Sequence, residues 1–471
     1  MVWPKPAVPG AGFDFQDPPR PVFGEVMVHD PSIFRADDWF YVFGSHMAAA
    51  KSKDLIAWEQ IATHVHEGNP FMRKVSDFDE AFEWSESRTF WAGDIQPMPN
   101  GKYFMYYCNC QGSKPLGDIG LAIADSAEGP YTNHGIFLKS GMDGISEDGT
   151  IYDPNVHPNC VDPHAFFDAD GVYRMLYGSF SGGIYILKMN ETTGLPLPGQ
   201  GYGKKLMGGN HGRIEGPYML YSKHTKYYYM FISFGGLMNH EGYNIRVVRS
   251  KNVEGPYFDA AGNEMTDVKG TLGTYFDDRA IEPYGTKLMG GYWFMQELGE
   301  PGHGTIGHVS PGHNSAYFCE ETGRYFLIFH QRFAHSRTIN QVRVHEMFLT
   351  NDGWFVVAPY RYDGAAQRHF LPTHVSGTWK VINHGQDINY TPNISQTIAL
   401  EDGGTVNVRR SRYKTGSWEL DADGISFTIT LDDIKYCGRL LRSYTTCFDR
   451  WVMSFTATSA DGVALWGSGV V

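Results

Sequence analysis

The stretch DPHAFFDADGVYRMLYGS, Asp162 to Ser179, decides how the rest of the chain is read. A carboxylate held by a following proline opens it, and a short strand covers Ala165 to Phe167. The tetrapeptide Asp168-Ala169-Asp170-Gly171 then turns the chain into a second alternating strand, Val172 to Tyr177. Gly and Asp supply the turn, and aromatic and β-branched residues supply the strands. Four variants of the unit recur: DPSIFRADDWFYVFGS from Asp30, DIQPMPNGKYFMYYC from Asp94, EGPYMLYSKHTKYYYMFIS from Glu215 and GHNSAYFCEETGRYFLIFH from Gly312. A second element repeats as well, in IGLAIADSAEGPY ending at Tyr131 and YNIRVVRSKNVEGPY ending at Tyr257, with SKDLIAWEQI from Ser52 as a looser relative. These read as the outer strands of the same units.

A sheet of this size cannot bury both faces alone, so five copies imply radial stacking, and the fold expected is an all-β five-bladed β-propeller over 26–362. Regular structure is expected to begin at Val26 and Met27, after an extended, Pro-rich N-terminal segment, 1–25. Beyond Tyr362 the blade pattern stops. Strands at Gly377 to Ile382, Thr405 to Val408, Ser417 to Leu420, Ile425 to Leu431 and Val452 to Thr458, with Asp423-Gly424 and Asp461-Gly462 turns, predict a small antiparallel barrel or sandwich over 370–471. Its Trp379, Trp418, Trp451 and Trp466 read as core, with carbohydrate binding as the rival reading.

Bulk properties narrow the function. A chain of 471 residues with 19% charged and 15% aromatic residues is a packed globular protein. A net charge of -13 without clustered Lys and Arg argues against nucleic acid as partner and for an uncharged ligand. No stretch approaches the roughly 20 apolar residues of a membrane span. No signal peptide is visible, which leaves a cytoplasmic protein or one whose leader has been removed. Six scattered cysteines are expected to be buried free thiols, with a Cys437–Cys447 bridge left open.

In a propeller the first strand of each blade lines the axis, so equivalent positions converge on one funnel. Asp30, Asp162 and Glu215 occupy that position, and Asp94 matches it too, as a residue expected to orient its neighbours. Singly, an Asp before Pro or a Glu before Gly-Pro is structural or solvated. Together in a low-dielectric pit, such carboxylates repel, and one stays protonated beside an ionised one. That is the division glycoside hydrolysis requires.

His29-Asp30-Pro31-Ser32, Val161-Asp162-Pro163 and Ile214-Glu215-Gly216-Pro217, in this order on this repeat, resemble glycoside hydrolase family 43. Gly312-His313-Asn314-Ser315, His330-Gln331-Arg332 and Asp352-Gly353-Trp354 resemble the arabinanases within it, and a small C-terminal domain also accompanies some of these. The resemblance implies an inverting enzyme that cleaves α-1,5-linked arabinofuranose in arabinan, by endo or exo action. Asp30 is then the general base, Glu215 the general acid and Asp162 the residue that places the acid and keeps its pKa raised. It further implies that His313 reaches a hydrated calcium-type ion on the axis, that Trp91 in Phe90-Trp91-Ala92-Gly93-Asp94 stacks on a sugar ring, and that His29, Ser179, His46 and Phe234 contact substrate. A single chain, acting as a monomer on arabinan or arabino-oligosaccharide, is the expected working unit. Gly93 departs from the usual proline, and Gln111 stands about where many arabinanases carry a ring-stacking Phe. A β-xylosidase or α-arabinofuranosidase on the same scaffold, or a noncatalytic sugar-binding propeller, are the alternatives.

Overall fold

The computed structural model describes residues 16–301, 306–408 and 410–470. Five blades follow one another along the chain: four are sheets of four strands, and the fifth is extended to six by Tyr292–Phe294 and Asn393–Ile394. Blade 1 comprises Ser32–Ala36, Trp39–Gly44, Ala48–Ser52 and Trp58–Ala62; blade 2 comprises Asp94–Pro97, Tyr103–Cys110, Gly117–Ala124 and Thr132–Lys139. Blade 3 contains His164–Phe167, Tyr173–Tyr177, Ile184–Lys188 and Lys204–Met207, and blade 4 Ile214–Ser222, Tyr227–Phe234, Asn244–Ser250 and Thr286–Met289. Blade 5 runs Ile306–Cys319, Arg324–Phe333, Ser336–Leu349 and Phe355–Val357. The quoted hairpin is the inner pair of blade 3, with Met175 opposite Ala165 and Arg174 opposite Phe166.

The cores lie between blades, as stacking demands. Phe34, Phe43 and Tyr107 share one cluster across blades 1 and 2, and Ile33, Val42, Phe326 and Ile328 pack blade 1 against blade 5. Among the described residues, no strand from the start of the chain completes blade 5. The ring closes through side chains instead: the Ser315 hydroxyl donates to the Pro31 carbonyl (2.7 Å) and accepts from the Ile33 N–H (3.1 Å). Glu25, ion-paired to Arg343 and Arg361, clamps the same seam. Val26 and Met27 are not in a strand, contrary to expectation. Val26 meets blade 5 by one backbone hydrogen bond, from the Val342 N–H, which is too little to form a ladder.

The C-terminal part is an eight-stranded antiparallel sheet in the order Val406–Asn407, Gln396–Leu400, Gly377–Asn383, Ala464–Gly469, Arg450–Ser459, Ile434–Thr445, Ser426–Leu431, Gly416–Leu420. A bridge between Thr405 and Ser417 joins its two edges, so the sheet curls into a nearly closed barrel. All four tryptophans named above are buried. Trp466 does not pack inside the barrel but against Tyr292 and other residues of the propeller. The segment after Asn383 reaches back to the propeller: Asn393–Ile394 pairs in parallel with Tyr292–Phe294, and Arg246, fully buried, donates to the carbonyls of Glu282, Tyr284 and Gln386. The six cysteines are free, so Cys437 and Cys447 are not bridged, and Cys447 is exposed rather than buried.

Candidate active site

Asp30 and Asp162 each stand two residues before an inner strand, and Glu215 is the second residue of one. The chain enters two of these strands through a left-handed residue, Asp30 (φ 58°) and Asp162 (φ 57°), and kinks of the same kind fall inside their strands at Gly216 (φ 61°) and His313 (φ 42°). A non-glycine residue held there costs roughly 1–3 kcal/mol and persists only where its surroundings fix it. Here they do: the Asp30 N–H donates to His330 Nδ1 (3.1 Å), and the Asp162 carboxylate accepts the Gly216 N–H (3.2 Å). The kinks bring the three acids together, all buried, around one axial cavity that Asp30, Asp162, His313 and Asn314 help to line.

Asp30 is surrounded by donors. His29 Nε2 accepts an N–H from Arg332 (2.7 Å), so its proton sits on Nδ1, which donates to Asp30 Oδ2 (2.6 Å). The Ser45 hydroxyl donates to the same oxygen, and His313 Nδ1 stands 3.3 Å from the other; His330 Nδ1 lies 3.5 Å from it but is the acceptor of the Asp30 N–H. Burial alone pushes this carboxyl up. The imidazoles of His29 and His313, with the His29 hydrogen bond and His330 behind them, outweigh burial and hold Asp30 well below the usual carboxylate range.

The other two acids go the opposite way. Burial raises Asp162 far above its ordinary value, and the charges of Glu215 and Asp30 add to that; the Gly216 N–H opposes it weakly. Glu215 is also raised by burial, although His313 and two hydroxyls pull against the rise. Those hydroxyls belong to Ser179, which donates to Oε2 (2.7 Å), and Tyr243, which donates to Oε1 (2.7 Å). Asp162 and Glu215 titrate as a pair, so ionisation of either raises the other. One ionised carboxylate therefore faces a pair that retains a proton.

The remaining expected residues divide. Trp91 is half-exposed, fixed by its indole N–H on the Cys110 carbonyl (3.1 Å), and lies beside the exposed His46 with ring centres 6.2 Å apart. Both face open solvent. Phe234 does not: it is fully buried under the Arg246 guanidinium, so it presents no surface to a sugar and belongs to the core. His29 has both ring nitrogens taken by Asp30 and Arg332, and Ser179 donates to Glu215, so each holds an acid in place. Asp94 ties three blades, accepting from the Ser32 hydroxyl (2.5 Å) and the Ala165 N–H (2.7 Å). At Gly93, an added Cβ would come within 2.7 Å of the Phe43 ring, which accounts for glycine there. Tyr243 and Ser45 were not singled out from the sequence as site residues, and His330 entered only through the His330-Gln331-Arg332 resemblance, without a role. Tyr243 opens the repeated stretch that ends at Tyr257 and stands just before the third strand of its blade, a place that reads as outer-strand structure and not as part of the site.

His29, Asp30 and His330 form a buried group whose ligand atoms lie within 4.8 Å of one another and could hold an ion. Nearer the axis, Asn314 Oδ1 and Nδ2 and both nitrogens of His164 are buried without a hydrogen-bond partner, and both residues line the axial cavity. Buried polar atoms of this kind call for water or a hydrated ion.

Comparisons with known proteins agree with this geometry. Residues 19–278 match the model of glycosyl hydrolases family 43, and residues 359–467 match that of a C-terminal lipocalin-like domain. The chain is 52% identical to extracellular endo-α-(1→5)-L-arabinanase 2 of Bacillus subtilis, over 95% of this chain and 94% of that protein. It is 44% identical to the extracellular endo-α-(1→5)-L-arabinanase of Thermotoga petrophila, over 95% and 94% respectively. The crystal structure of the endo-1,5-α-L-arabinanase from Thermotoga petrophila superposes with a TM-score of 0.90 at 43% identity, covering 96% of this chain and all of that one. A glycoside hydrolase family 43 protein from Bacillus licheniformis gives 0.90 at 50% identity, covering 95% and 99%. With three buried acids on the propeller axis and matches that run through both halves of the chain, the protein belongs to glycoside hydrolase family 43.

Proposed function

We propose that the chain is an inverting endo-arabinanase that hydrolyses internal α-1,5 linkages of arabinan. The observation that carries the reading is the split in proton affinity: Asp30 is driven to ionise, while Asp162 and Glu215 are driven to keep a proton. Asp30, made an acceptor by its donors, takes a proton from water as that water attacks the anomeric carbon. Glu215, with its proton retained, gives it to the departing sugar oxygen. Asp162 fixes the backbone beside Glu215 through the Gly216 N–H and discourages its ionisation. Inversion asks for roughly 6.5–9.5 Å between base and acid, leaving space for the water. The near full-length likeness to proteins named endo-arabinanases supports arabinan as substrate and cuts within the chain. Trp91 and His46 supply an open face for sugar rings.

A hydrated calcium-type ion suits the axial cavity. His313 and the Asn314 amide oxygen would hold it, and a hard cation with so few protein ligands keeps water in most of its positions. When bound, it supplies positive charge that favours ionised carboxylates nearby. Exhaustive chelation should lower both activity and melting temperature, and no change in either removes the ion from the account. The working unit is taken as a monomer, which sedimentation checks.

The deciding experiment combines two assays. Linear arabinan should yield a ladder of oligosaccharides while aryl-xyloside stays intact, and proton NMR of the first product should show the inverted anomer. A single small sugar, a retained anomer, or binding without release would each overturn the reading. Asp30→Asn and Glu215→Gln should each lose about 10²- to 10⁴-fold in kcat.

A further inference from the structure

The link between the third and fourth strands of blade 4 spans 251–285, whereas its counterpart in blade 1 spans 53–57 and in blade 5 350–354. This excursion climbs along the outermost strand of blade 3. Gly208 N–H donates to the Val268 carbonyl (3.1 Å), Gly270 N–H to the Gly209 carbonyl (3.1 Å), and the Asn210 amide to the Gly270 carbonyl (3.0 Å). At its crest Asp278 is gripped from two sides: by Arg213, two residues before Glu215, and by the Tyr390 hydroxyl (3.0 Å), which comes from the C-terminal part.

On this pinned crest Tyr275 is 73% and Phe276 50% exposed. Their rings are ordered by neighbours rather than left free. Phe276 meets Phe180 edge-on (centres 5.6 Å apart), and Tyr275 lies against His211 (4.5 Å). Phe180 follows Ser179, the Glu215 partner, and its N–H donates to the Ile214 carbonyl (2.9 Å). The aromatic face thus begins at Phe180, the residue after the Ser179 that donates to Glu215. It stands at the junction of blades 3 and 4, while Trp91 stands at that of blades 1 and 2.

We propose that Tyr275 and Phe276 form a distal sugar-binding subsite, on which furanose rings of the substrate chain beyond the cleavage point stack. The proposal rests on the arabinanase reading. Keeping two large apolar rings in water is unfavourable at about 25 cal/mol per Å², and a sugar ring offers a neutral face with apolar C–H groups that covers them. A polysaccharide crossing the funnel must leave over its rim, so the surface is continuous with the site, and its lack of net charge suits a neutral polymer.

Replacing both rings (Tyr275→Ala with Phe276→Ala) should reduce kcat/KM on long linear arabinan relative to arabinotriose about 3- to 10-fold, with the change in KM. Tyr275→Trp, which keeps a stacking face, should preserve the wild-type ratio. In a Glu215→Gln background, affinity electrophoresis in arabinan gels should show retardation that the double replacement weakens. An unaltered ratio with unaltered retardation overturns the subsite, as does an equal loss on long and short substrates. Failure of the wild-type protein to cleave either substrate would instead remove the arabinanase reading, while the gel still reports on the rim.

Discussion

The Tyr243 hydroxyl donates to Oε1 of Glu215 at 2.7 Å, and both groups are buried. Burial raises the Tyr243 phenol far above its usual value, with the charges of Glu215 and Asp30 adding to the rise, so it remains a donor at any working pH. The bond favours the ionised form of Glu215 and tempers the increase that burial imposes. Tyr243→Phe should therefore push the alkaline limb of the pH–rate profile upward. It should also lower kcat roughly 3- to 30-fold, because the acid grows weaker and loses a support.

The wild-type profile itself should be bell-shaped and unusually broad. Asp30, depressed below the carboxylate range, is ionised until strongly acidic pH, so the acid limb falls below the roughly 4 of an ordinary carboxylate. Asp162 and Glu215 are raised, so the alkaline limb lies above it. Asp162→Asn removes the mutual repulsion and should draw the alkaline limb down. A limb that stays in place would show that burial alone sets it.

Asp118, on the third strand of blade 2 opposite Asn109, is wholly buried, with only a weak contribution from the Asn109 backbone to set against its desolvation. Burial, opposed by Lys139 and reinforced by Glu80, pushes its pKa up to about 8. Because the folded value exceeds the unfolded one of about 4, the folded state binds more protons between these limits, and its stability falls as pH rises through that window. The neutral Asp118→Asn should be more stable than wild type by at least about 2 °C in Tm at pH 8, with the gap closing toward pH 5. Calorimetric scans across this range measure it.

Lys287 joins the two halves of the chain, donating from Nζ to the carbonyls of His384 (2.8 Å) and Asp387 (2.6 Å). Burial, helped by Arg246, lowers its pKa to about 7. Lys287→Met fills a similar volume but leaves two carbonyls without their donor. It should cost about 1–3 kcal/mol and expose the segment around 384–393 to limited proteolysis while the strands of blades 1 to 3 stay protected.

The hairpins were legible because inner and second strands carry alternating aromatic residues ended by Gly and Asp, and their recurrence implied circular stacking. The acids were legible because Asp-Pro and Glu-Gly-Pro mark strand starts. What could not be read is which way a side chain turns once blades pack. Phe234 ends its strand toward the core, and Ser179 turns to an acid in the next blade. The strand Ile434–Thr445 went unrecognised because Lys435, Arg439 and Arg442 interrupt its apolar alternation. The short helix Asp79–Ser85, between blades 1 and 2, is too brief to show a helical period.

The seam where the ring closes passes through Asp30, the proposed base. Asp30 belongs to the first blade, yet its N–H rests on His330, and the Arg332 that orients its His29 comes from the last blade. Among the described residues no shared strand spans that join, so the first partial opening on warming should undo the setting of Asp30 before any sheet is lost. Thermal inactivation would then run ahead of the circular-dichroism melt, and Ser315→Ala, which removes one rivet at the join, should widen that interval.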